Sequence, residues 1–384
     1  MTPTEQRTSM PPEHELLLTA VKVTLTPDDR ERCRKLIESA WETLDWGFLL
    51  DQAGRHRVLS LFGKRLNEIW PDTDEPFNLP HRNVLRRYHH ANRARNEALL
   101  RELETVVRCL ADAGVRPALR KGAVLASELY RDLGAREMGD IDLLVDRAEL
   151  AAARKALASL GYTEGRVEDF GRTLVPATRQ IQVYWSLHGN GVHFCRPTGE
   201  LFVDTHLIEL TYDLFLPDSG SSVTAGDLRP HLERHRLNGV ETDKLTLPAC
   251  LLDICADIYL KATTLYYIER SGDLQLAKFV DLVGLMTEFG TSEVARQLHE
   301  LASRFDVLSK VSFSIQLAAE LLDPDPAPDS GLRPFVDQFP LAAPELRSYG
   351  VADGVSGSWD VPVRERIFDN ERFKRVPKSR TPRR

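Results

Sequence analysis

Arg136-Glu137-Met138-Gly139-Asp140-Ile141-Asp142-Leu143-Leu144-Val145 places two carboxylates one residue apart at the start of an apolar run. On a β-strand, residues i and i+2 face the same side. Asp140 and Asp142 therefore project together, while Ile141 points into a core. Two adjacent carboxylates repel each other unless positive charge lies between them. A hard divalent cation held by oxygen ligands is the usual solution. The segment is a candidate site for metal-assisted phosphoryl or nucleotidyl chemistry.

The surrounding pattern alternates helix and strand. Upstream, residues 81–113 read as one long helix, with Leu99, Leu103, Val106 and Leu110 on its apolar face and Gly114 placed to end it. Residues 115–119 read as a short strand, and Gly122 opens a helix to about residue 131. Residues 146–160 return to helix after the aspartate strand. Residues 180–187 and 200–207 read as β-type runs, the second with Asp204 in its middle. From residue 247 the pattern is helical again. The expected fold is α+β: a small mixed sheet with helices, flanked by helical regions on both sides. The expected divisions are a disordered start (1–14), a helical region (15–113), the α/β core (114–225), a helical domain (245–322) and a Pro-rich, basic, flexible tail (323–384).

The chain has 384 residues, of which 42% are hydrophobic, enough for two domains or one large one with extensions. No apolar run approaches the roughly 20 residues that cross a bilayer, and residues 1–15 lack the pattern of a signal peptide. A cytoplasmic location is the expectation. The five cysteines are scattered and contain no CxxC pair, which argues against a disulfide framework or a thiolate zinc site. A net charge of −7 weighs against a generic nucleic-acid binder. Oligomeric state is left open by the sequence.

Lys121-Gly122, an apolar helix ending in Tyr130, and then Arg136-x-x-Gly139-Asp140-Ile141-Asp142-Leu143-Leu144-Val145 together resemble the uncharacterised nucleotidyltransferase family of the DNA polymerase β-like superfamily. The likeness spans residues 92–286. In that superfamily a Gly-containing turn precedes a helix leading to the Asp-x-Asp strand, and a third carboxylate lies on a later strand. Here the turn is Lys121-Gly122 in place of the more widespread Gly-Ser. Val203-Asp204-Thr205-His206 is the best match for the later strand, so the resemblance implies Asp204 as the third metal ligand beside Asp140 and Asp142. It also implies Mg²⁺ or Mn²⁺ as cofactor, an NTP as donor, and a hydroxyl acceptor that is a small molecule or a protein side chain. Gly122 would let backbone approach the phosphates. Lys121 or Arg136 would neutralise the leaving pyrophosphate.

Each candidate has a plainer reading. Asp204 would be a strand-end acid paired with Arg, Lys121 a solvated turn residue, and Arg136 a structural partner of Asp132 or Glu137. His206 reads as a packing group, and His188 and His193 lack identifiable co-ligands. Asp253, Asp257 and Asp281 read as helix-face acids, with Asp281 keeping a chance as a base and Lys261 as a nucleotide contact. Tyr266-Tyr267 would pack or stack a base. Two rival functions share the aspartate pair: a nucleotide-sugar glycosyltransferase, which would release nucleoside diphosphate, and a non-catalytic nucleotide- or partner-binding module. The second gains ground if Asp204 lies far from Asp140 and Asp142 and no other acid takes its place.

Overall fold

The computed structural model describes residues 10–71, 79–168, 173–188, 190–216, 219–237, 239–350, 353–355, 357–379 and 381. Helices α1 (Pro12–Ala20), α2 (Pro27–Ser39), α3 (Trp46–Arg55) and α4 (Leu59–Ile69) precede the long α5 (Arg82–Asp112). Local chemistry sets their ends. Thr26 and Asp29 form a reciprocal capping box at the start of α2, with Pro27 in the first turn. Helix α5 stops at Gly114, whose φ of 76° suits a residue without Cβ. There the Val115 amide donates to the Leu110 carbonyl and the Gly114 amide to that of Ala111, closing the helix end.

Next come β1 (Ala118–Leu119), α6 (Lys121–Glu128), β2 (Ile141–Leu144), α7 (Leu150–Ser159), β3 (Thr163–Glu168), β4 (Thr173–Pro176), α8 (Arg179–His188), β5 (Phe194–Glu200) and β6 (Val203–Thr211). After the short α9 (Ala225–Leu228), β7 (Leu232–Leu237) and β8 (Val240–Leu245) complete an eight-stranded mixed sheet in the order β4-β3-β5-β6-β2-β1-β8-β7. Its centre is parallel: β2 runs alongside β6, and β1 alongside β8, while β1 and β2 are antiparallel. The two faces of β2 serve different cores. Ile141 and Leu143 pack with Leu99, Val106 and Leu157 of the helices α5 and α7. Leu144 faces the other way, into the core built by the helices that follow the sheet.

Those helices are α10 (Leu247–Thr263), α11 (Leu265–Ile268), α12 (Leu276–Phe289), α13 (Ser292–Arg304) and α14 (Leu308–Leu322). The α+β class read from the sequence is the class of the fold. Residues 180–187, read as a strand, are helical instead. Ile181, Tyr184 and Trp185 recur at helix spacing, and buried Trp185 packs edge-on against Tyr266 at 5.4 Å.

The ends of the chain also differ from expectation. Residues 1–9 lie outside the described residues, but α1 already begins at Pro12, and Leu16, Leu17 and Leu18 are buried. Beyond residue 323, α15 (Arg333–Gln338), α16 (Ala343–Leu346), the paired β9 (Ser348–Tyr349) and β10 (Gly357–Ser358), and α17 (Val363–Arg366) fold onto the helical core. Phe335, Phe339 and Ile367 are fully buried there, and Phe368 stacks on His14 at 4.0 Å between ring centroids. The basic composition hid these anchors. Arg372 is a buried partner of Asp273, reaching both oxygens at 2.7–3.0 Å.

Removing one member of a buried pair strands the other charge. Asp273→Ala is expected to lower stability by about 3–5 kcal/mol, read as a shift in the urea midpoint. A change within error would show that the C-terminal segment is not held by this pair.

Candidate active site

The Asp140–Asp142 pair is positioned from both sides. Upstream, α5 holds the approach to the strand: Asn92 Nδ2 donates to the carbonyls of Gly134 (2.8 Å) and Arg136 (3.1 Å), and Asn96 Nδ2 to those of Leu133 (2.6 Å) and Arg136 (2.7 Å). On the strand, the Arg120 amide donates to the Asp142 carbonyl (3.2 Å), tying the start of α6 to β2. Gly122 sits in the first turn of α6, and a Cβ there would meet Arg136 Nη1 at 3.6 Å, an ordinary contact. Its position on the wall of the cavity, rather than backbone strain, is its notable feature.

Parallel pairing puts Asp142 in register with Glu209 on β6. Carboxylate oxygens of Asp140 and Glu209 and a ring nitrogen of His193 lie within 4.8 Å of one another, and His193 Nε2 is 3.6 Å from Glu209 Oε2. His193 is set by the turn before β5. Asn190 Oδ1 there accepts the amides of Tyr212 (3.0 Å) and Asp213 (3.1 Å).

Asp204 is not part of this group. It is exposed near the start of β6, five residues before Glu209, or roughly 16 Å along an extended strand. Its position has the parity of His206 and Ile208, which face away from the site. His206 is fully buried on that other side, with Nε2 3.3 Å from Glu200 Oε1. Sequence reading ended the strand at residue 207. The strand continues to Thr211, and the continuation carries Glu209. The alternation of buried Ile208 and Leu210 around Glu209 was the available signal. His188 lies at the end of α8, and its side chain is outside the described residues.

The cavity that Asp140, Asp142 and Glu209 line is also lined by lysines. Asp257 on α10 is contacted by three ammonium groups: Lys278 (2.6 Å), Lys261 (2.8 Å) and Lys121 (3.4 Å). Burial opposes its charge, yet these lysines hold the Asp257 carboxyl well below the usual range. Burial also drives Lys278 well below the usual lysine range; Asp257 opposes this, and neighbouring Lys261 and Lys121 add to it. Three lysines crowd this one carboxylate, and Lys121 also lies 3.7 Å from Asp253 Oδ1. Lys121 is therefore no solvated turn residue.

The arginines are anchors. Arg120, buried, grips Asp253 with Nε at 3.0 Å and a second bond through Nη2, and its Nη1 donates to Thr211 Oγ1. Arg136 pairs with neither Asp132 nor Glu137. It holds Asp281 through Nε (3.1 and 3.2 Å) and Nη2 (2.8 Å), and Tyr130 donates to the same carboxylate at 2.8 Å. Both oxygens of Asp281 are thus engaged by Arg136 and one of them also by Tyr130. Asp132 is taken instead by Lys64 at 2.8 Å and Arg93 at 2.6 Å.

Acids and lysines border one cavity of about 440 Å³. Tyr267 lines it, with Lys261 Nζ 5.7 Å from its ring centre. Arg270 lies 3.8 Å over the Tyr266 ring.

The mixed sheet thus brings clustered acids and a group of lysines to one cavity. The chain belongs to an uncharacterised nucleotidyltransferase family, whose model matches residues 42–323. No curated protein and no solved structure matches it. Among the described residues, no helix is long and apolar enough to cross a membrane.

Asp142 registers the crowding of charge. Burial, then Asp140 beside it and Glu209 opposite, push its carboxyl up to about 7, against the pull of Arg120 and Lys121. Its folded value exceeds the unfolded one, so between about pH 4 and pH 7 the folded, metal-free protein binds more protons than the unfolded chain. Stability from this group is therefore complete below about pH 4 and is lost as pH rises toward 7. In EDTA, Asp142→Asn is expected to be more stable than the wild type at pH 8 and to match it near pH 4. Denaturant melts at both pH values test this, and a variant less stable than wild type at pH 8 would contradict it.

Proposed function

We propose that this chain is a metal-dependent nucleotidyltransferase that moves NMP from an NTP to a hydroxyl acceptor and releases pyrophosphate. The observation that carries the reading is the convergence on one cavity of Asp140, Asp142 and Glu209 with the Lys121–Lys261–Lys278 cluster. The donor set of hard carboxylate oxygens, with one imidazole nearby, fits Mg²⁺ or Mn²⁺. Bound there, such ions would stabilise charge on the entering and leaving oxygens of an in-line displacement.

The chain's own residues divide the remaining work. Lys278 and Lys121 receive the β- and γ-phosphates, giving Asp257 a counterweight and relieving the repulsion among the three ammoniums. Tyr267 offers a face to the base. Glu209 takes the role that sequence matching gave to Asp204, and accepts the proton of the attacking hydroxyl. Asn92 and Asn96 hold the backbone that aims Asp140 into the cleft.

Glu209 also bears on the non-catalytic alternative. That reading gains from a missing third carboxylate, and here another acid stands in register with Asp142. The glycosyltransferase alternative expects a parallel nucleotide-binding sheet at the start of the chain, whereas among the described residues five helices precede β1.

The test is incubation with α-labelled NTPs and Mg²⁺ or Mn²⁺, following pyrophosphate release and label transfer. Glu209→Gln and Asp142→Asn are each expected to reduce turnover by about 10²-fold or more, and Asp204→Asn to leave it within about twofold. Full activity in Glu209→Gln with loss in Asp204→Asn would overturn the assignment. Lys278→Ala should raise the KM for NTP by about tenfold, consistent with a lost charged hydrogen bond. An unchanged KM would remove Lys278 from the phosphate site.

A further inference from the structure

A second cavity, of about 320 Å³, shares a wall with the first at Arg57, Glu137, Met138 and Gly139. Gly139 immediately precedes Asp140, so a molecule lodged there abuts the carboxylate cluster. We propose that this cavity is the acceptor subsite, and that it takes a small hydroxyl-bearing anion with an apolar or aromatic body. The inference rests on the nucleotidyltransferase reading for its chemistry, but not for its binding properties.

Two features give the anion. Arg57 and Arg95 both line the cavity, and neither guanidinium has a carboxylate within ion-pair distance among the described residues. Arg95 Nε is buried and lacks a hydrogen-bond partner. A buried, unpaired donor of this kind is costly unless a ligand supplies the acceptor. The carboxylate on this wall, Glu137, feels both guanidiniums but bonds neither: it accepts from the Ser60 amide (3.3 Å) and the Tyr88 hydroxyl (3.2 Å). A planar guanidinium matches a carboxylate or a phosphate equally well.

The apolar body follows from the aromatic residues of the lining. Tyr88 on α5 and Phe202 at the β5–β6 turn line the cavity while remaining substantially exposed. Phe202 has φ of 67°, a conformation normally left to Gly or Asn. Backbone strain of this sort persists where the position of a side chain matters. The volume suits a small metabolite rather than a polymer segment.

In the reaction, the acceptor oxygen forms a bond to the α-phosphorus as the bond to the bridging oxygen breaks. The electron pair leaves with pyrophosphate, and the hydroxyl proton passes to Glu209. The product is the NMP ester of the acceptor.

The experiment is calorimetry and ligand-observed NMR on nucleotide-free protein with three matched probes: 3-(4-hydroxyphenyl)propanoate, its neutral amide, and 2-(4-hydroxyphenyl)ethyl phosphate. The acid or the phosphate should bind roughly tenfold or more tightly than the amide, as expected for one charge-assisted bond. The comparison of acid with phosphate identifies the anion. Arg95→Ala should abolish the preference, and Arg95→Lys should keep part of it. Phe202→Asn should weaken all binding probes while leaving the melting temperature equal or higher, a split that a merely structural phenylalanine would not give. Equal binding of acid, phosphate and amide, no binding of any, or a preference intact in Arg95→Ala would overturn the proposal. Because no nucleotide is present, these outcomes stand apart from whether the chain transfers NMP.

Discussion

The parallel pairing of β2 with β6 is the constraint around which the site is built. It sets Asp142 against Glu209 across one strand spacing, about 4.8 Å, with Asp140 one pleat away. Like charges directly opposed on neighbouring strands are unfavourable. The arrangement persists because the reverse faces of the same strands are committed elsewhere. Ile141, Leu143, Ile208 and Leu210 are buried against α5 and α7. Slipping either strand by one residue would relieve the acids, but it would put that strand's two aliphatic side chains on the wrong face. At roughly 1.5–3 kcal/mol per buried aliphatic side chain, the core outweighs the repulsion.

The same logic runs through the cationic side. Lys121, Lys261 and Lys278 converge on Asp257 because α6, α10 and α12 are packed around the sheet. Arg120 and Arg136 are consumed by Asp253 and Asp281, and so serve as struts between the sheet and the helices. Acids and lysines thus crowd a single cavity, and in the proposed reading a nucleoside triphosphate with divalent cations answers both.

Much of this was legible in the sequence, where short-range chemistry decides. The spacing of Asp140 and Asp142 around Ile141 fixed a shared face. Gly114 marked a helix end through a backbone requirement that few residues meet. What escaped depended on contacts between distant segments. Glu209 was passed over because a motif match favoured Asp204, and only strand register distinguishes the two. Residues 180–187 looked extended, although their aromatic residues follow a helical period. The final basic stretch looked free because charge pattern alone does not reveal that Arg372 meets Asp273. Arg136 looked like a phosphate ligand, but its partner lies on a helix more than a hundred residues away.

The central claim is that Asp140, Asp142 and Glu209 together hold the cations of a nucleotide site. The most direct measurement is anomalous diffraction from crystals grown with Mn²⁺ and an α,β-non-hydrolysable NTP. The account predicts manganese peaks between β2 and β6 on these three carboxylates, with the triphosphate against Lys121 and Lys278. Manganese at Asp204, or a triphosphate bound away from the lysine wall, would contradict it.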